Sequence, residues 1–380
     1  MVRLANSDTG PKARLVKDEA IIKELMDLLF TFWPDCERDY FPSPQPVSLM
    51  KKDYHKILKY PYYVCVKSDG MRYILLCKKI NNINKCFMVD RAFKFHEINQ
   101  KFDNVLFNGN GTVFDGELVR IRDNEKHTWI YVIHDCISFS GNNISIIPNF
   151  DERYNKVITT LDTLYTSCVK ETIDDSEDVS SSIKFEDNSI DSFPIQTKKF
   201  YKFEDMNKLR DDINNNKINH FIDGIIFTPI AIAVGKKTQY SLFKWKQKHT
   251  FDFKIVESPK EIYAQVNERR QLANFGAVEI NTEYGKAFKQ DLEKLKHYTN
   301  GCIVECSYDS VTGHFHPLLV RTGKKHPNGL YTVERTLDNI REDITLEGLV
   351  EISKRKKGNS SNNMSVTNKS TWASIIKSKT

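Results

Sequence analysis

YYVCVKSDGMRYILLC, residues 62–77, sets a lysine between two apolar runs, YYVCV and YILLC, each of strand length and rich in β-formers. The intervening KSDGMR places Lys67 at a strand end beside a tight turn, where a covalent lysine nucleophile would stand. A lysine ordinarily titrates near 10.4, so only about one in a thousand is neutral at pH 7, and only the neutral amine attacks phosphorus. Such a site must lower that value with neighbouring cations, and Arg72 is a candidate. Asp69 can orient the amine or accept from the turn backbone, while Gly70 allows a positive φ and the close approach of a ligand. Taken alone, the same six residues make a β-hairpin with a charged turn.

The 380 residues exceed what one core usually organises, which predicts two domains. The longest apolar stretch, 20–33, is broken by Lys23, Glu24 and Asp27, and its apolar positions 21, 22, 25, 28, 29 and 32 follow helical spacing. It predicts an amphipathic core helix with Asp18 near its start rather than a membrane span. The opening MVRLANSDTG has no apolar core of a leader, and the eight cysteines form no CxxC pair, so an intracellular protein with reduced thiols is expected. Cys302 and Cys306 fit one strand face better than a metal knuckle.

The net charge of +6 is uneven. Residues 354–380 hold seven Lys or Arg and no acid, while 171–191 hold eight acids and one lysine. Outside these two stretches the body carries about six positive charges, a basic remainder suited to phosphates. The acidic stretch DDSEDVSSSIKFEDNSIDS has the composition of a disordered surface insertion. KRKK at 354–357 fits a nuclear address, a nonspecific RNA contact or the solvated end of a last helix.

Strand-like runs recur at 62–66, 73–77, 86–89, 113–114, 118–121, 129–133, 224–227 and 241–245, with helical patterns at 151–165 and 204–214. That is a mixed, mostly antiparallel α+β pattern. A second group of runs follows at 253–256, 303–308 and 318–321, around a helix-like 283–298, and suits a small barrel of OB type joined near 246–250. Gly109-Asn-Gly111 lacks the third glycine of a dinucleotide fingerprint, and GKK at 323 lacks the earlier glycine of a P-loop. His314 and His316 have no third metal ligand in sight and make an exposed strand pair.

In one order, KSDGMR, FMVDRAFKF around Arg91, TVFDGELV around Glu117, HFIDGIIFTP around Asp223, SLFKWKQKHTFDFKI around Lys244 and Lys246, and RTGKKHPN at 321–328 resemble the motifs of the covalent nucleotidyltransferases. Ahead of them FPSPQPVSL, 41–49, is similar to a segment of fungal-type mRNA capping guanylyltransferases that ligases lack. The resemblance covers about 20–345. It implies an antiparallel-sheet, ligase-like nucleotidyltransferase domain over 1–246 interrupted at 171–191, an OB-fold β-barrel domain with a C-terminal helix over 247–350, and a basic low-complexity tail over 351–380.

The same resemblance implies the chemistry. Lys67 is the nucleophile that takes GMP from GTP and passes it to the 5′-diphosphate end of RNA. Lys244 and Lys246, alternating about Trp245, contact the α-phosphate and lower the pKa of Lys67. Read without the other motifs, KWK is an exposed strand face around a buried tryptophan, and each DG is a hairpin turn. Arg72 and Arg91 hold the ribose, and Glu117 and Asp223 serve the ribose and a divalent metal, Mg²⁺ or Mn²⁺. Lys198 in TKKFYKF reads the guanine oxygen, with Lys199 in its place if the register slips by one. His134 stands where the family has Phe, as a ring to stack on the base or as a core histidine.

In RTGKKHPN, Arg321, Lys324, Pro327 and Asn328 are kept for a clamp on the β and γ phosphates. Leu319 and Gly323 replace the family's Arg and Asp, and Phe315 keeps an aromatic where relatives have Trp. Closure of the barrel domain over GTP is expected. The implied partners are an RNA triphosphatase subunit and the phosphorylated C-terminal domain of RNA polymerase II, in the nucleus, with no membrane. The alternatives are an ATP-dependent nucleic-acid ligase, against which FPSPQPVSL and Lys198 speak, and a catalytically weakened scaffold of the capping complex, which Leu319 and Gly323 keep open.

Overall fold

The computed structural model describes residues 1–122, 128–166, 193–269, 271–322 and 324–362. The acidic insertion at 171–191, Gly323 and the tail beyond 362 lie outside the described residues. The chain divides into two compact units: Met1–Val47, His55–Lys244 and the chain from Val350 form the first, and Ser48–Tyr54 with Trp245–Leu349 the second. No helix among the described residues is long and apolar enough to cross a membrane.

The first unit contains, in chain order, β1 (Lys12–Leu15), α1 (Glu19–Thr31), β2 (Gln45–Ser48), β3 (Tyr62–Ser68), β4 (Gly70–Ile80), β5 (Ile83–Val89), β6 (Phe95–Ile98), β7 (Thr112–Arg120), β8 (Trp129–Phe139), α2 (Phe150–Thr159), β9 (Ile195–Thr197), β10 (Tyr201–Lys202), α3 (Met206–Asn214), β11 (Ile222–Pro229) and β12 (Thr238–Lys246). A nine-stranded sheet has the order β1-β6-β5-β4-β7-β8, with Val2–Arg3 and Asn142–Asn143 at its ends and β9 running parallel to β8. A five-stranded sheet has the order β10-β3-β11-β12-β2.

Alternate residues of β4 enter different cores, since Tyr73, Leu75 and Cys77 pack with Phe114, Tyr131 and Val157 while Ile74 and Leu76 pack with Leu25, Leu28 and Leu29 of α1. With both faces covered, YILLC reads as a continuous apolar run. Asp18 caps α1 as expected, its Oδ1 accepting from the backbone N–H of Ala20 at 2.9 Å and of Ile21 at 3.2 Å. The helix expected over 151–165 is α2 followed by a wider turn at Thr160–Leu164.

The hairpin reading of KSDGMR is overturned. β3 pairs with β10 and β11 in the five-stranded sheet, and β4 pairs with β5 and β7 in the nine-stranded one, so Asp69 carries the chain between two sheets. Each apolar run finds its backbone partners elsewhere. Gly70 does not supply a positive φ; a Cβ there would stand 2.4 Å from the Leu118 carbonyl oxygen, so close strand approach is what demands glycine. Nor is either DG a hairpin turn. Asp115 and Glu117 lie inside the unbroken strand β7, where a Cβ on Gly116 would meet the Tyr131 ring at 2.6 Å. Asp223 is the extra residue of a bulge in β11, between Ile222 opposite Ser68 and Gly224 opposite Lys67.

The second unit holds β13 (Thr250–Glu257), β14 (Glu261–Glu268), β15 (Gln271–Glu279), α4 (Glu283–Glu293), β16 (Ile303–Asp309), β17 (His314–Val320) and α5 (Leu330–Glu342). Its antiparallel sheet has the order β15-β14-β13-β16-β17. A ladder between β15 and β17, which would close an OB-type barrel, is not among those formed by the described residues. Phe251, Phe253 and Ile255 alternate into the core with Phe288, Leu292 and Val304, and Phe315 meets the Phe253 ring edge-on at 5.0 Å. The aromatic kept at 315 is thus a core residue. Cys302 precedes β16 rather than sharing a strand face with Cys306, and His314 stacks on Tyr284 with ring centroids 3.7 Å apart.

The last helix, α6 (Leu346–Asn362), begins in the second unit and continues in the first. KRKK lies on it, with Lys354 and Arg355 exposed, but Lys356 is buried and its Nζ donates to the carbonyl oxygens of Ile57, at 2.9 Å, and Tyr60. Glu204 balances the charge 3.3 Å away.

Candidate active site

An open cleft lies in the first unit and is lined from both sheets. Lys67, Arg72, Arg91, Glu117, His134 and Lys198 all line it, with Asp115, Asp135 and Arg153. Phe150 and Phe200 give it an apolar wall, their rings 4.9 Å apart and edge-on.

The one-residue passage at Asp69 puts Lys67 on β3 and Arg72 on β4 at the same cleft. Lys67 Nζ donates to Asp223 Oδ1 at 2.7 Å, and the bulge in β11 is what turns that carboxylate to the lysine. The ion pair holds Nζ in place.

Arg72 is set by two anchors. Its Nε donates to Asp115 Oδ1 at 2.9 Å, one terminal nitrogen donates to Asp115 Oδ2, and the other donates to the Pro44 carbonyl at 2.7 Å. FPSPQPVSL therefore enters the site through its backbone. His134, the extra residue in a bulge of β8, brings Nε2 within 3.4 Å of Asp115 Oδ1, so its ring faces the cleft rather than the core. Burial alone would raise the Asp115 carboxyl, but Arg72 and His134 outweigh it and hold the group far below the usual carboxylate range.

Lys198 is buried and lines the cleft, whereas Lys199 turns out to Asp212 Oδ2 at 2.7 Å, so of the two lysines only Lys198 meets the site. Burial is the main cause that lowers the Lys198 pKa, with Lys67 adding to it against the opposing charges of Glu117 and Asp223. The side chains of Glu117 and the exposed Arg91 line the cleft and make no hydrogen bond or ion pair with a described residue, which leaves them available to a ligand.

Lys244 is not among the lining residues, but it shares the face of β12 with Leu242, which is, while Phe243 and Trp245 are buried on the other. Lys246 falls in the second unit. So do Arg321, which donates to Glu305 Oε2 at 2.5 Å, and Lys324, which pairs with Asp252. Asn328 fixes this segment to β13, its Oδ1 accepting from the Asp252 N–H at 2.8 Å. Leu319 is exposed opposite Glu305 on β16.

The sequence reading missed Asp115, Asp135, Arg153 and Ser68. Asp115 stood in the quoted TVFDGELV, where DG looked like a turn. Arg153 binds Asp135 through Nε at 3.0 Å and a terminal nitrogen at 3.1 Å, pinning α2 to β8 beside the cleft; no short motif marks that long-range pair.

Lysines, arginines and carboxylates thus meet in one cleft between two sheets. The family model described as mRNA capping enzyme, catalytic domain, matches residues 20–248, and that of the mRNA capping enzyme C-terminal domain matches 230–350. The mRNA-capping enzyme subunit alpha of Candida glabrata is 27% identical, covering 82% of this chain and 80% of that protein. Its Saccharomyces cerevisiae counterpart is also 27% identical, over 82% and 78%. Among solved structures, a mycobacterial DNA ligase D complexed with ATP and MES matches with a TM-score of 0.37 at 11% identity, covering 76% of this chain and 98% of that one. The chain belongs to the mRNA capping enzyme family. Its activity is that of an mRNA guanylyltransferase.

Proposed function

We propose that Lys67 carries the guanylyl group. The neutral amine attacks the α-phosphorus of GTP; the P–N bond forms as the bond to the bridging oxygen breaks, and pyrophosphate leaves with that electron pair. A terminal oxygen of 5′-diphosphate RNA then attacks the same phosphorus, the P–N bond breaks, and the amine regains its proton. Asp223 Oδ1, 2.7 Å from Nζ, positions the amine and is its nearest proton acceptor. Arg72, held by Asp115 and Pro44, and Arg91 at the mouth bind the ribose; Lys198 meets the guanine oxygen, and the His134 ring lies against the nucleoside. Lys244, Lys246, Arg321 and Lys324 keep the phosphate roles that the resemblance implies.

Glu117, which lines the cleft, and Asp223, paired with Lys67 beside it, would hold Mg²⁺ or Mn²⁺, hard cations that need only one or two protein carboxylates beside substrate phosphates. Such an ion supplies neutralisation of charge on the phosphoryl oxygens. An RNA triphosphatase that makes the diphosphate end, the phosphorylated tail of RNA polymerase II and a nuclear location complete the reading.

The observation that carries it is the convergence of Lys67, Arg72, Glu117 and Lys198 from two sheets on one cleft. The test is incubation with α-labelled GTP and Mg²⁺ or Mn²⁺. Wild-type protein becomes labelled and Lys67→Ala does not; a labelled Lys67→Ala protein refutes the assignment.

A further inference from the structure

Lys198 follows β9, Ser68 ends β3 and His220 precedes β11, yet the three meet in the interior of the first unit, all buried. Lys198 Nζ donates to Ser68 Oγ. An ammonium has only protons to give, so Ser68 accepts there and its own proton turns to His220 Nε2, 2.7 Å away. That fixes the neutral imidazole with its proton on Nδ1, which donates to Asn219 Oδ1 at 3.1 Å. Burial first, then the charges of Lys198 and Arg122, push the His220 pKa down to about 4, so the ring is neutral at neutral pH. The four groups thus have one polarity, from Lys198 through Ser68 and His220 to Asn219.

We infer that Ser68 and His220 are positioning residues for purine choice, holding Lys198 as a donor-only group at the cleft so that it accepts a guanine and turns away an adenine. This rests on the reading of Lys198 as the base-contacting lysine. With one N–H directed to Ser68, two remain for the cleft. Guanine O6 accepts from them, whereas the adenine N6 amino group presents a donor to a donor. His220 acts at one remove. Without its Nε2 the Ser68 proton has no acceptor there, and the hydroxyl can point back at Lys198 only if the lysine loses its charge.

The test is adduct formation by the full chain from α-labelled GTP and from α-labelled ATP, read as the ratio of kcat/KM. Ser68→Ala and His220→Leu lower the GTP:ATP ratio about tenfold, mainly through the KM for GTP, the scale of one buried hydrogen bond. Ser68→Thr, which keeps the hydroxyl, and His220→Gln, which keeps an acceptor, recover most of it. A purely structural role lowers labelling from both nucleotides alike and leaves the ratio unchanged, which overturns the inference. Lys198→Ala separates the two levels. If it leaves the ratio intact, the base-contacting role is wrong; if it abolishes the preference while Ser68→Ala and His220→Leu keep it, only the relay is wrong. Should His220→Leu fail to fold, the Ser68→Ala and Ser68→Thr pair decides.

Discussion

Asp115→Asn leaves the shape of the site unchanged and removes its most enclosed charge. Asp115 is 1% exposed and its partner Arg72 12%, so solvent does little to screen the pair. Breaking such a pair costs about 3–5 kcal/mol, because the guanidinium stays buried with only the Pro44 carbonyl and a weak amide acceptor. Against a net stability of about 5–15 kcal/mol that is a large share. At about 2–4 °C per kcal/mol for a chain of this size, the melting temperature falls by roughly 6–20 °C at pH 7. The sign of the pH dependence follows from the direction of the shift. The folded carboxyl is held below its unfolded value, so its stabilisation is present above about pH 4 and fades as pH drops below that. Wild type and Asp115→Asn should therefore converge in acid. Thermal unfolding by circular dichroism from pH 7 to 3, with Arg72→Met and the double variant completing a cycle, measures the coupling. A variant melting within about 1 °C of wild type at pH 7 refutes the reasoning.

Arg91→Ala should leave the melting temperature within about 1 °C, because that side chain is exposed and makes no hydrogen bond or ion pair with a described residue, while the KM for GTP rises several-fold in the labelling assay. His220, neutral in the fold with a value near 4 against about 6.5 unfolded, costs stability as pH falls through that window; His220→Gln should flatten this part of the pH–stability curve, and equal slopes for both proteins would count against a buried neutral ring. Lys356→Met leaves the Ile57 and Tyr60 carbonyls without their donor and should lower urea stability by about 2 kcal/mol, whereas Arg355→Ala, on the exposed side, should change it by less than about 0.5 kcal/mol.

The lysine, its strand and the helix capped by Asp18 were legible because local pattern fixes them. YYVCV and YILLC are strands on any reading, yet which sheet each joins depends on β11 and β7, far along the chain. The same cause hid Asp115 and Asp223. A carboxylate beside glycine is usually a turn, and only the partner strands reveal that one lies mid-strand and the other on a bulge. Gly70 was identified correctly as a necessary glycine but for the wrong reason, since the constraint comes from Leu118 across the sheet. KRKK carried no local sign that Lys356 would bind the carbonyls at the end of the short helix Tyr54–Lys59, almost three hundred residues earlier. Arg153 with Asp135 is a pair that only tertiary structure creates.

Because Asp69 is the one residue between β3 and β4, the five steps from Lys67 to Arg72 can extend to no more than about 17 Å. The reacting nitrogen and the cation facing it cannot drift apart unless the layers themselves separate. Loss of chemistry on heating should then coincide with melting of the first unit, with no folded but inactive species at lower temperature, and an insertion of flexible residues after Asp69 should silence the enzyme before it unfolds it.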